Sequence, residues 1–389
     1  GGAPIPLYWF DTLSPASQGE PPMTLHERFG VSMDTERMVA QFMEMVQIDS
    51  ESGNEARFMA WLLPRLEEVG ATAQLDTYGN LVARIPGKGS DAEPVLLSCH
   101  GDTVKPGVGI EPVLLDGVIR SKGETILGAD DKAGIAEMLE ALRVAPVHPP
   151  VEIAISRQEE VGLLGVKNLD TSLLKARRGF LLDNDVLDGI IIGGPSYFAL
   201  DITVKGRAAH AGMEPEKGIN AILAAAKAIS ALTLGRLDAG TTANVGIIQG
   251  GMIRNGVPDT CTFMAECRSL DHAKAQTVAD EMVAVVQREV AAAGAQVEIQ
   301  VNNLCKAVDI PTDSWTVRIA QKALAKQGIQ ATAGLMCGFT DASIYNNVGI
   351  EMAVVGIGAR LEHSCDEHIY VEDMERAVAM MVEILALSC

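Results

Sequence analysis

The apolar positions of this chain recur at two spacings, and the switches between them outline its elements. Residues 34–46 set Met38, Phe42 and Met45 on one helical face, and residues 54–69 do the same with Phe58, Leu62, Leu66 and Val69. The polar stretch DSESGNE between them predicts a break that caps the second helix. TAQLDTYGNLVARIPG reads as two strands about a Tyr-Gly-Asn turn. PVLLSC is an apolar run of buried-strand length and ends at His100. A Gly-rich loop, ILGADD and a helix through KAGIAEMLEALRV follow, then VEIAIS running into RQEEVG and GFLLDND running into acid. Strand, loop and helix in that rotation predict a doubly wound α/β sheet.

From Pro195 the rhythm changes. YFALDITVKG is a strand, GINAILAAAKAISAL a helix, TANVGIIQGG and CTFMAECRSL two strands, HAKAQTVADEMVAVVQREVAAAG a long helix and QVEIQVNN a last strand. That β-α-β-β-α-β order predicts a ferredoxin-like α+β unit. After DIPTDS the first rhythm resumes with the helix WTVRIAQKALAKQG, a Gly-rich loop GLMCGFTDAS, the strand EMAVVGIG, the loop LEHSCDEH and a closing helix. The expected fold class is α/β: a doubly wound mixed sheet over residues 23–195 and 306–389, interrupted by a ferredoxin-like insert at 196–305. Residues 1–22, rich in Pro and Gly, read as a leader or flexible arm.

Composition narrows the partners. The formal charge of −20 argues against nucleic acid and against an anionic membrane surface. No apolar run approaches the ~20 residues that a spanning helix needs. Seven scattered cysteines, with no CxxC pair, read as reduced thiols and a cytoplasmic setting.

Charge matters most where it interrupts the apolar runs. His100 and Asp102, Asp130, Glu159 and Glu160, Asp183, and His363 all follow such runs. In an open α/β sheet the carboxyl ends of the strands form the ligand crevice, so these residues are expected to converge. That many carboxylates in one crevice would repel and take up protons unless a dense cation sat among them. Imidazole with carboxylate is a ligand set that suits zinc. Two zinc ions sharing a carboxylate need about five protein groups, and His100, Asp130, Glu160, Asp183 and His363 make five. Asp102 is then placed to orient His100, and Glu159 is left as a base for water. Taken singly, each signal also has a plain explanation: a solvated EE turn, an Asp-Asp helix cap, a turn aspartate.

The motifs SCHGDTVKPG, GADDKAGIAEML, RQEEVGLLG, GRAAHAGMEPEKGINAI, GGMIRNGVPD with ECRS, GFTDASIYNNVGI and GARLEHSCDEHI together resemble one group. It is the di-zinc metallopeptidase family that includes aminoacylase, carboxypeptidase G and peptidase T. The likeness runs from about Met33 to the end, and GADDKAGIAE and LLDND tilt it toward peptidase T. The resemblance implies that His100, Asp130 and Asp183 hold one zinc and that Asp130, Glu160 and His363 hold the other. Cobalt or manganese would be alternatives in one site. Glu159 would act as general base and then acid, with Asp102 orienting His100. The Asp130–Asp131 peptide bond would be cis. The insert would be a lid and dimerisation domain of a homodimer. Its His210 would reach the partner subunit's site, and Asn255 and Arg268 would bind substrate.

An aspartate at position 183, where other members carry glutamate, favours aminopeptidases or dipeptidases in that resemblance. The expected activity is hydrolysis of peptide bonds in short peptides, as an aminopeptidase or tripeptidase. The alternative is an N-acyl amino acid amidohydrolase, or a dipeptidase, with the same zinc chemistry. Two departures stand out: Arg-Gln before the acid pair of RQEEVG, and a chain shorter than peptidase T.

Overall fold

The computed structural model describes residues 24–389, so the leader or arm expected at 1–22 lies outside the described residues. The chain divides into two compact units. Among the described residues, one comprises 24–193, Asp309–Leu335 and Thr340–Cys389; the other comprises Gly194–Val308 and Met336–Phe339.

The first unit is built on a nine-stranded mixed sheet. Its order is Thr72–Leu75, Leu81–Ile85, Val151–Ser156, Val95–His100, Arg178–Asn184, Glu351–Gly356, Gly189–Gly194 and Val308–Asp309, with Thr332–Leu335 beside Gly189–Gly194. The four strands from Val151–Ser156 to Glu351–Gly356 run parallel, and the Thr72–Leu75 edge is antiparallel. Val95–His100 and Val151–Ser156 are buried along their whole length, as strands covered on both faces must be. Met38, Phe42, Met45, Phe58, Leu62 and Leu66 all turn inward, as their spacing predicts. Gly179 is needed for strand contact, since a Cβ there would lie 2.1 Å from the Leu96 carbonyl oxygen.

One small sheet escapes the sequence reading. Pro112–Leu115 and Val118–Ser121 form a hairpin that pairs with His368–Tyr370, and this in turn pairs with Ala359–Arg360. The turn at Asp116-Gly117 has φ of +50° and +76°, the geometry of a tight two-residue hairpin.

The second unit is a five-stranded antiparallel sheet in the order Gly235–Asp238, Thr241–Gly250, Thr260–Ser269, Ser196–Lys205, Gln296–Cys305. Helices Ala221–Ala231 and His272–Ala292 pack against it. The strand burial alternates, and the inward set includes Phe198, Leu200, Ile202, Val204 and Phe263. Each such side chain contributes roughly 1.5–3 kcal/mol when withdrawn from water. Ala221, Ala224, Ala225 and Ala228 keep the short helix close to the sheet. The expected β-α-β-β-α-β path is present with an added strand, Gly235–Asp238, at the edge. Met336–Phe339 groups with this unit, where Phe339 stacks on Tyr197. Among the described residues no helix is long and apolar enough to cross a membrane.

Candidate metal centre

Five chain segments of the first unit meet at the carboxyl ends of its parallel strands. Val95–His100 ends in His100, Asp183 is the next-to-last residue of Arg178–Asn184, and Glu159 and Glu160 follow Val151–Ser156. Asp130 sits at the start of helix Ala129–Val144 with non-helical φ/ψ of −77°/108°, and its peptide bond to Asp131 is cis. His363 follows the short strand Ala359–Arg360 and has φ of +58°.

Asp130 lies between the two imidazoles. Its Oδ1 is 3.0 Å from His100 Nε2, and its Oδ2 is 3.1 Å from His363 Nε2. Asp183 Oδ1 stands 3.6 Å from His100 Nε2, and Glu160 Oε1 stands 2.9 Å from His363 Nε2. Ligand atoms of His100, Asp130 and Asp183 lie within 4.8 Å of one another, as do those of Asp130, Glu160 and His363. A third trio, His100, Glu159 and Glu160, meets the same limit. Donors at zinc-bond length around a tetrahedron are separated by about 3.3 Å, so the donor set fits a pair of zinc-sized cations sharing Asp130. Each of the first two trios also supplies the three protein groups that leave a catalytic zinc one open position.

The electrostatics call for positive charge. Burial pushes Asp183 up to about 7, with Asp130 and Asp341 adding repulsion. Burial also raises Glu160, and it raises Glu159 well above the usual carboxylate range, helped by the charges of Asp183, Asp341 and Glu160. Burial acts to raise Asp130 too, but His100 and His363 outweigh it and hold that carboxyl low. Hydrogen bonds to Asp130 and Glu160 push His363 up to about 11. A dication would take over the work of these imidazole protons, so its uptake must displace protons.

Asp102 is fully buried and meets His100 Nδ1 through two of its oxygens. Its main-chain carbonyl oxygen lies 3.0 Å from His100 Nδ1, whereas its carboxylate Oδ1 is 3.5 Å away. That contact places the ring proton on Nδ1 and turns Nε2 toward the carboxylates. The Asp102 carboxylate also accepts from Ser52 Oγ (2.6 Å) and from the backbone N–H groups of Glu159 (2.9 Å) and Glu160 (3.3 Å). It thus anchors the loop that carries both acids. Glu159 is 7% exposed, and among the described residues its carboxylate makes no hydrogen bond or ion pair.

Sequence reasoning missed the frame of this loop. Arg157 pairs with buried Glu55 (2.7 Å) and donates to the Tyr78 carbonyl oxygen (3.0 Å). Gln158, at φ +51°, accepts from Tyr78 Oη (2.6 Å). The Arg-Gln pair that departs from the resembling family is therefore structural support for the loop. Gly165 lets the next helix close on the loop, since a Cβ there would lie 1.9 Å from the Arg157 carbonyl oxygen. Burial, with the charges of Asp130, Asp185 and Asp183, pushes another unforeseen acid, Glu362, up to about 10. Asp341, bonded to Ser156 Oγ, is pushed up to about 7 by burial.

The remaining three expected site residues belong to the second unit. His210 is exposed, and its Nδ1 accepts from Gly212 and Met213 N–H (3.2 Å each). The Asn255 carbonyl oxygen accepts from Ala211 N–H (3.0 Å), which joins the His210 and Asn255 loops. Arg268 donates to Glu266 (2.9 and 2.8 Å) and lies over the rings of Tyr197 and Phe339.

Residues 195–293 match the family model of the peptidase dimerisation domain, and residues 80–233 match that of peptidase family M28. The chain is 35% identical to the uncharacterized protein YqjE of Bacillus subtilis over 366 residues, 91% of this chain and 98% of that one. It is similar to the structure of aminopeptidase PepT from Bacillus cereus, at 34% identity and TM-score 0.82, covering 92% of this chain and 99% of that one. A tripeptidase of Staphylococcus aureus is equally covered, at 32% identity and TM-score 0.86.

Proposed function

This chain belongs to the M20 peptidase family as a peptidase T-like metallo-exopeptidase, and on that premise we propose that it removes the N-terminal residue from short peptides, tripeptides foremost, with two zinc ions. His100, Asp130 and Asp183 would hold one ion, and Asp130, Glu160 and His363 the other, with cobalt or manganese as alternatives in one site. The observation that carries this reading is Asp130, whose two oxygens each meet a different histidine at 3.0 and 3.1 Å while each histidine meets its own further carboxylate.

Bound zinc supplies Lewis acidity toward the scissile carbonyl and makes water more acidic. The rest of the work falls to side chains. Glu159 takes a proton from the attacking water and delivers it to the leaving amine. Its near-complete burial keeps bulk water away from the proton it carries between the two transfers. Asp102 keeps Glu159 in place through the Glu159 N–H and keeps His100 in one tautomer through its carbonyl oxygen. His210, Asn255 and Arg268 bind substrate in this reading; a guanidinium clamped by Glu266 and two rings is a stiff partner for a carboxylate. The match to a dimerisation domain supports a homodimer through the second unit. The cytoplasmic expectation rests on seven scattered cysteines without a CxxC pair.

The test is a panel of di- and tripeptides, free or blocked at each end, with zinc present. Free-amine tripeptides should be cleaved best and N-acetylated ones poorly. Preference for an N-acetyl amino acid would replace this reading with that of an amidohydrolase.

A further inference from the structure

Four residues beyond His363, Glu367 is 1% exposed, and among the described residues its carboxylate accepts hydrogen bonds only from backbone. Its Oε2 accepts from the N–H groups of Leu127 and Gly128 (2.7 Å each), and its Oε1 accepts from Ala129 (2.8 Å) and Asp130 (3.1 Å). Four consecutive amides converge on one carboxylate. Leu127 and Gly128 lead into helix Ala129–Val144 and Ala129 and Asp130 open it, and its N-cap, Gly128, has no side chain to offer these amides. The cap comes from 237 residues away.

The source of the cap matters as much as its strength. The segment 127–130 carries Asp130, the carboxylate between the two histidines, and the segment 363–367 carries His363. Glu367 ties one to the other. Asp130 holds a non-helical backbone while presenting one oxygen to each imidazole, and His363 holds a left-handed one. A rotation of the Asp130 peptide would turn both oxygens away at once.

We propose that Glu367 is a positioning residue for the metal centre: by clamping the amides of 127–130 it fixes Asp130 relative to His363 and so sets metal affinity, most of all where Asp130, Glu160 and His363 meet. This rests on the metal ligands assigned under the proposed function. Glu367 touches neither substrate nor metal in this scheme; it acts through Asp130 and His363.

Glu367→Gln replaces one acceptor oxygen with an NH2 group that faces two N–H donors. In the full-length chain, the zinc affinity of one of two sites should fall 10–100-fold, read by competition with a chromophoric chelator. kcat should fall at limiting zinc and recover with excess, while KM for a tripeptide holds. Glu367→Asp keeps the charge one methylene short and should give a smaller loss of the same kind. The control is Glu152→Gln: Glu152 is also buried and accepts from Lys175 and Ala176 N–H (2.7 and 2.9 Å), at the opposite end of its strand from Glu159. It should lower thermal stability without weakening zinc binding.

Wild-type zinc affinity in both Glu367 variants, or equal loss in Glu152→Gln, overturns the proposal. If Glu367→Gln does not fold, Glu367→Asp decides alone. Asp130→Asn separates this inference from the one beneath it. If Asp130→Asn loses zinc and the Glu367 variants do not, only the positioning role falls; if Asp130→Asn also keeps zinc, the ligand assignment falls with it.

Discussion

Glu159→Gln tests two claims at once: that this side chain moves the proton, and that its charge burdens the fold. The substitution keeps the volume and removes the charge. Without a general base, turnover should drop by about 10²–10⁴-fold, or about 3–5 kcal/mol of barrier at 1.36 kcal/mol per decade. The stability effect has the opposite sign. The residue is 7% exposed and its carboxylate has no hydrogen-bond partner among the described residues; burial, with the charges of Asp183, Asp341 and Glu160, outweighs the attraction of His100. Its raised proton affinity means that the folded state binds a proton more tightly than the unfolded chain does. Its contribution to stability is therefore whole below about 4.5 and is lost as pH rises through the folded value. Glu159→Gln removes that loss. The metal-free variant should be more stable than wild type by roughly 1–3 kcal/mol at pH 8, an effect that shrinks toward pH 4. Scanning calorimetry in chelator over pH 4–8, zinc content by mass spectrometry and kcat on a free-amine tripeptide make the assay. A zinc-loaded Glu159→Gln enzyme within tenfold of wild-type kcat would remove Glu159 from proton transfer. A lower melting temperature at pH 8 would refute the argument that its charge is unpaired.

Three further outcomes follow from the same geometry. Because His363 is pushed up to about 11, zinc uptake at pH 7 should release protons and tighten as pH rises; calorimetric enthalpies independent of buffer ionisation would contradict this. Asp102→Asn cannot accept from Ser52, Glu159 and Glu160 as the carboxylate does, so kcat should fall about 10–100-fold with KM nearly unchanged, and a KM effect alone would point to substrate binding instead. Gly165→Ala drives a methyl group into the Arg157 carbonyl oxygen, so denaturant unfolding should show a loss of roughly 1–3 kcal/mol or more along with lost activity; a neutral variant would show that the loop after Ser156 yields.

Much of this protein is legible in one dimension. The helical faces of Met38, Phe42 and Met45 and of Phe58, Leu62 and Leu66 all turn inward, because a period set by backbone geometry needs no knowledge of the partner surface. The same holds for the two-residue alternation of Ser196–Lys205. The convergence of His100, Glu160 and Asp183 is readable for a related reason, whereas Asp130 opens a helix and His363 follows a strand of the small sheet. Parallel strands point their carboxyl ends to one side, so a polar residue that ends an apolar run has a known destination. Other features had no such rule. Glu367 is one acid within HSCDEH, and nothing local says that four amides more than 230 residues earlier will meet it. The Arg157–Glu55 and Tyr78–Gln158 contacts, the main-chain grip of Asp102 on His100, and the loop links between His210 and Asn255 are of the same kind. Periodicity encodes which way a residue faces. Which particular atom it then finds depends on how loops distant in sequence pack together, and only the folded chain decides that.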